Sequence, residues 1–151
     1  MIIKKVITDE HAKICDELLT ELTQSERKYD LNIKETYIVE NYFKKKYKQD
    51  CNCLLLLLDE NIGVGFLFGF MRYEKGEFCY HSTGRIGSLY IKPEYRRKGF
   101  ATQLISEFTK WCNKKEIKEI EIGVFKENIK AHSLYKKMEF EDTIIYMNKK
   151  I

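Results

Sequence analysis

A mixed α+β fold follows from three features of this 151-residue sequence. Strand and helix periodicities succeed one another in the order β, α, α, β, β, β, α, β, α, β. Two runs rich in leucine, aromatics and glycine flank a joint of hairpin length, Asp59-Glu60-Asn61, as in an antiparallel meander. Toward the end of the chain, strands alternate with helices. The expectation is an α+β or mixed α/β domain over residues 1–151, with one continuous core in three layers.

Each element has its own signal. Ile2 to Ile7 reads as a strand. Thr8 or Asp9 is placed to cap a helix carrying Cys15, Leu18, Leu19 and Leu22 on one face. After a polar joint around Ser25 to Asn32, the spacing predicts a second helix from Lys34 to Gln49. Cys51 to Asp59 and Ile62 to Tyr73 read as strands, Glu74 to Ser82 as a polar loop, and Arg85 to Lys92 as a strand stopped by Pro93. From Gly99 to Lys115, Ala101, Leu104, Ile105, Phe108, Trp111 and Cys112 fall on one helical face. Glu119 to Phe125 alternates as a strand. Ala131, Leu134, Tyr135 and Met138 mark a last helix that Asn128 helps to start, and Phe140 to Met147 reads as one or two closing strands.

Composition narrows the function. At 44% apolar and 33% charged, the chain can bury a core and is neither disordered nor fibrous. Its 27 basic and 23 acidic residues leave a net charge of +4, too balanced for a protein that works by neutralising nucleic-acid phosphates. No apolar run reaches the roughly 18 residues of a membrane span. The start, Met-Ile-Ile-Lys-Lys, lacks the order of features in a secretory signal, so a cytoplasmic location is expected. The five cysteines (Cys15, Cys51, Cys53, Cys79, Cys112) lack paired zinc spacing, so no metal is expected and they read as reduced structural thiols. The run Lys44-Lys45-Lys46-Tyr47-Lys48 reads as surface at a helix end.

The stretch from Leu89 to Ala101 carries the chemistry. It reads as a strand leading through a tight turn into a helix N-terminus. The first N–H groups there have no intrahelical partner and carry the positive end of the dipole. Such an end binds phosphates. Gly99 and Ala101 keep side chains clear of the backbone, while Arg96, Arg97 and Lys98 add charge. Neither of the common glycine-rich nucleotide loops is present.

Arg96-x-x-Gly99-x-Ala101 resembles the acyl-CoA signature of the GCN5-related N-acetyltransferases, R/Q-x-x-G-x-G/A. About thirty residues on, Asn128-x-x-Ala131-x-x-Leu134-Tyr135 with Met138-Glu139-Phe140 resembles that family's second motif, N-x-x-A-x-x-L-Y…G-F. The element order fits as well, so the resemblance covers essentially the whole chain. It implies a twisted, mostly antiparallel sheet of about six or seven strands flanked by four helices, with a splayed parallel strand pair. It further implies acetyl-CoA as cofactor, held where the strands around Gly87–Ile91 and Glu119–Val124 part. Leu89, Tyr90 and Ile91 would pair with the pantetheine arm. Arg96, Arg97, Lys98, Gly99, Phe100, Ala101 and Thr102 would cradle the pyrophosphate, and Asn128 would reach the arm.

The reaction implied is direct attack by an amine on the acetyl thioester. Tyr135 would be the general acid for the departing thiolate, a task that suits a phenol protonated at neutral pH. Its other reading is a core aromatic on the face of the last helix. A backbone N–H near Tyr90 would stabilise the oxyanion. Some branches of the family keep a glutamate about eleven residues before the signature arginine, but Arg85 stands there. Glu77, His81 and Glu121 are the base candidates, each more simply read as a residue on a solvated loop or sheet face. Glu139 replaces the usual glycine of the second motif, so the turn after the last helix must be made differently.

The acceptor that the resemblance implies is a primary amine of a small molecule or peptide. Between Thr8 and Glu40, nine acids stand against four bases, an excess suited to a polyamine, an aminoglycoside or a basic peptide, and more simply explained by solvated helix faces. Homodimers are frequent in the family. A second class of answer is a non-catalytic acyl-CoA-binding sensor or docking module, supported by Arg85. Nucleic acid and membrane are not expected partners.

Overall fold

The computed structural model describes residues 1–75, 80–149 and 151. Its elements are β1 (Ile2–Lys5), α1 (Asp9–Glu26), α2 (Phe43–Lys46), β2 (Asn52–Asp59), β3 (Ile62–Lys75), β4 (Tyr80–Ile91), a 3-10 turn (Pro93–Tyr95), α3 (Phe100–Lys114), β5 (Glu119–Ile122) and α4 (Ile129–Lys137). The strands form one sheet in the order β1-β2-β3-β4-β5. All neighbours are antiparallel except β4 and β5, which are parallel.

The sheet is buried on both faces, so the expected core divides into two layers. Cys53, Leu55 and Leu57 of β2 pack with Leu104, Ile105, Phe108 and Cys112 of α3. Leu54, Leu56 and Leu58 pack with Ala12, Cys15 and Leu18 of α1 and with Phe43. A strand covered on both faces needs apolar residues at every position, which explains the unbroken run Leu54–Leu58. The described cysteines are free thiols, and burial pushes Cys53 up to about 12 and Cys112 up to about 11. Cys79 lies outside the described residues.

Both termini of α1 were legible. The Thr8 hydroxyl accepts the His11 N–H at 3.2 Å, and Asp9 and Glu10 occupy the first turn. The second helix differs from its expected span of Lys34 to Gln49, being only the turn Phe43–Lys46. The reason lies on α1, where Asp16, Thr20 and Gln24 share one face at four-residue spacing. The Gln24 amide donates to the carbonyls of Lys34 and Tyr37 at 3.2 and 2.9 Å. Thr20 Oγ1 accepts the Val39 N–H at 2.9 Å, and Asp16 Oδ1 accepts the Phe43 N–H at 3.0 Å. Backbone groups bound sideways to α1 are unavailable for an intrahelical ladder.

Other boundaries move for similar reasons. The polar loop expected over Glu74 to Ser82 is strand at both its ends, since β3 continues through Lys75 and β4 begins at Tyr80; residues 76–79 lie outside the described residues. The strand expected over Glu119 to Phe125 stops at Ile122, where its partner diverges. The strand or strands expected over Phe140 to Met147 are absent, so among the described residues the sheet has five strands rather than six or seven. Ile144, Ile145, Tyr146 and Met147 are 69–90% exposed. Their sequence suits a strand, but a strand exists only against a partner edge.

Candidate active site

The site begins where two strands part. The β4–β5 ladder ends at Ile86 opposite Ile122. At the same level the β3–β4 register slips, with Phe68 opposite Ser88 and Gly69 opposite Ile86, which leaves Gly87 as the extra residue of a bulge. A bulge bends its strand and increases its twist, so β4 turns away from β5. The gap opens into a cavity of about 530 Å³ lined by Thr23 and Glu26 from α1, Ser88 and Leu89 from β4, and Asn128 and Tyr135 from α4 and its cap.

The backbone alternation along β4 decides which groups face the gap. The Lys92 N–H donates to the Val64 carbonyl of β3 at 2.9 Å. Residues two apart point the same way, so the main-chain groups of Tyr90 belong to the β3 ladder, and those of Leu89 and Ile91 face the other side. The amide expected at Tyr90 for an oxyanion is therefore better matched by that of Leu89, which also lines the cavity. The Tyr90 phenol instead donates to Glu21 Oε2 at 3.1 Å, and Lys92 pairs with the same carboxylate at 3.3 Å.

Beyond β4 the turn is fixed by its own residues. Arg96 Nε donates to the Ile91 carbonyl at 2.7 Å, and its guanidinium lies over the Tyr90 ring. Arg97 has φ 64° and Gly99, the N-cap of α3, has φ 81°. At the cap position only glycine adopts that backbone without strain, and a Cβ there would meet nothing within 4 Å. No side chain caps α3. Its first N–H groups, at Phe100 to Thr102, thus face open space beside Arg96, Arg97 and Lys98, all exposed. A diphosphate fits such a place.

At the other end of the gap, Asn128 Oδ1 accepts the Ala131 N–H at 3.3 Å and so starts α4. Tyr135 is 8% exposed, packs edge-on against Phe140 as a core aromatic does, and lines the cavity, where the expected general acid would have to stand. Burial and then the nearby Glu26 charge push its phenol up to about 12. The turn after α4 is made as glycine would make it: Glu139 takes φ 66°, and the Phe140 N–H reaches the Tyr135 carbonyl at 3.0 Å. The expectation of a different turn was incorrect.

Of the base candidates, Glu77 lies outside the described residues, as does the side chain of His81. Glu121 is held by Arg85 at 2.9 Å and Arg72 at 3.0 Å. Partial burial works to raise its pKa, but the two arginine hydrogen bonds prevail and hold it below the ordinary value. A carboxylate so engaged is a poor proton acceptor, and Arg85 is spent on that pairing. The sequence reading did not single out Glu26, whose only signal was membership of the acidic excess on α1.

A sheet opened at a parallel pair, a cavity in the gap and an uncapped basic helix N-terminus beyond it together define a coenzyme A-dependent acyltransferase. The profile of the Acetyltransferase (GNAT) family matches residues 15–140, and the chain belongs to that family. It is an N-acetyltransferase with acetyl-CoA as its cofactor. Aminoglycoside N(6')-acetyltransferase type 1 of Acinetobacter haemolyticus is 26% identical over 100 residues, 64% of this chain and 69% of the relative. Among solved structures, a variant of the BH1408 protein from Bacillus halodurans superposes with a TM-score of 0.88 at 15% identity, covering 100% of this chain and 99% of that one. Aminoglycoside N-acetyltransferase AAC(6')-Iy in complex with CoA superposes with a TM-score of 0.74 at 16% identity, covering 99% and 100%. No helix among the described residues is long and apolar enough to cross a membrane.

Proposed function

We propose that the protein acetylates a primary amine of a small polycationic molecule, of the aminoglycoside or polyamine kind, by direct transfer. The observation that carries this reading is the cavity between β4 and β5, which brings Leu89, Tyr135 and Glu26 to one place. The aminoglycoside-modifying relatives support the acceptor class. Acetyl-CoA, when bound, supplies an acetyl group activated as a thioester. Arg96, Arg97 and Lys98, with the N–H groups of Gly99 to Thr102, would hold its diphosphate, and the main-chain groups of Leu89, with the N–H of Ile91, its arm.

The Leu89 N–H then supports negative charge on the acetyl oxygen. Tyr135 stays protonated throughout the neutral range. Handing its proton fully to a thiolate of ordinary pKa about 8.5 would be uphill by about 5 kcal/mol, so its hydrogen bond to the sulfur does most of the work until that charge has developed. The protein also works as a homodimer in this reading, a proposal supported by the exposed apolar segment at Ile144–Met147.

Thermal unfolding tests the cofactor site. Acetyl-CoA at a hundred times its dissociation constant should add about 2.7 kcal/mol, with each kcal/mol moving the midpoint by roughly 2–4 °C. ATP and NAD, as anionic controls, should give no comparable shift. Tyr135→Phe should keep the acetyl-CoA shift and lose about a hundredfold or more in turnover of an amine such as neamine or spermidine. Equal shifts with all three anions would reduce Arg96 to Ala101 to a generic basic turn. A Phe variant as active as the parent would leave Tyr135 a core aromatic.

A further inference from the structure

Glu26 is badly placed for stability. It closes α1, whose last turn holds no basic residue, so its charge sits at the negative end of the helix dipole. Its side chain is half-buried. Among the described residues its carboxyl has neither a hydrogen-bond donor nor a cation. Burial alone lifts the group above its ordinary pKa. The cations that follow it in the chain are engaged elsewhere: Arg27 pairs with Glu35 at 3.4 Å, and Lys28 lies over the Tyr29 ring. From the facing helix α4, Tyr135 is the group that feels its charge. A desolvated, unpaired carboxylate in a cavity is costly to fold and well suited to receive a cation.

We infer that Glu26 receives the acceptor's ammonium group and takes its proton, which makes it the general base of the transfer. The inference rests on the acetyltransferase reading and names the charge that selects a cationic amine. The ammonium gives one proton to the Glu26 carboxylate. The freed nitrogen pair forms the C–N bond to the acetyl carbon, the C–S bond breaks, and the sulfur keeps that pair and takes a proton from Tyr135. The nitrogen sheds a second proton as the amide forms, which restores the phenol. Glu26 then releases its own proton to water, one for each amide made. Burial does most to hold the Tyr135 proton, and protonating Glu26 removes the negative charge that adds to it, so taking the first proton eases donation of the next.

The test compares the parent with Glu26→Gln and Glu26→Asp, using neamine, spermidine and a lysine-containing peptide as amines. Three readouts are taken: the acetyl-CoA shift in melting temperature, thiol release against pH, and melting temperature against pH. Glu26→Gln should keep the acetyl-CoA shift, lose about 10²–10⁴-fold in kcat/KM, and lose the acid limb of the pH profile. Glu26→Asp should fall between the two. Because folding raises the pKa of Glu26, its ionised form burdens the fold at neutral pH, and that burden disappears below the unfolded value near 4.3. Glu26→Gln should therefore melt higher than the parent at pH 7, with the difference closing toward pH 4. Full activity of Glu26→Gln, with a normal acetyl-CoA shift, would overturn the assignment and leave the acetyltransferase reading standing. A parent stabilised by acetyl-CoA that acetylates none of the three amines would overturn the acceptor class and the role of Glu26 together.

Discussion

Single residues in this protein are held in conformations and states that local preference alone would not select. Glu139 occupies the left-handed region at φ 66°, where an L side chain costs roughly 1–2 kcal/mol and glycine costs nothing of the kind. The position closes α4 and fixes Phe140 against Tyr135, so the strain sits directly behind the cavity wall. Glu139→Gly removes that strain but frees the unfolded chain, which returns about half of the gain. The expected net effect is about 0.5–1 kcal/mol of added stability, read as a midpoint rise of roughly 1–4 °C in calorimetry. A fall in the midpoint would mean that Glu139 makes a compensating contact in solution. The same residue shows how far a motif reads: the sequence placed the turn correctly, while the missing glycine suggested a different geometry that the backbone does not adopt.

At the scale of elements, the readable parts are those whose stability is local or periodic. The faces of α1 and α3, the hairpin at Asp59–Asn61 and the cap at Asn128 all follow from spacing along the chain. The segment before α2 does not, because its conformation is dictated by side chains of another element. Asp16 is central to it. Its carboxylate accepts the Phe43 N–H, and Phe43 is fully buried between α1 and the sheet. Asp16→Ala should cost about 1–2 kcal/mol, the usual loss on removing a capping side chain, and should open residues 34–42 to proteolysis. Asp16→Asn keeps the accepting oxygen and removes a charge whose pKa burial raises, so it should be far milder at neutral pH. Equal damage from both variants would show that the charge, not the acceptor, holds the segment. The site was legible in the same uneven way. The cradle and Tyr135 lie in contiguous motifs, whereas Leu89 depends on strand register and Glu26 on the approach of α1 to α4.

At the scale of the whole molecule, net charge says little about where ligands go. Of the acidic excess on the N-terminal side, Glu21 is paired with Lys92, Glu35 with Arg27, Asp9 with Lys48, and Asp16 faces backbone N–H groups. Much of the excess counted along the chain is thus taken up by partners within the fold. Hydrophobicity is more informative. Ile144 to Met147 leave the domain almost fully exposed, although Ile residues buried elsewhere gain roughly 1.5–3 kcal/mol each. On the sheet, β5 is paired on one side by β4, and its other edge is open among the described residues. An open edge and an apolar strand-like segment in one chain are complementary, and in a second copy each finds the other. Light scattering should then give twice the chain mass, falling to a single chain mass in the double variant Ile145→Lys, Met147→Lys, with the melting temperature now dependent on concentration only in the parent. A parent that stays at one chain mass at every concentration would withdraw homodimer formation.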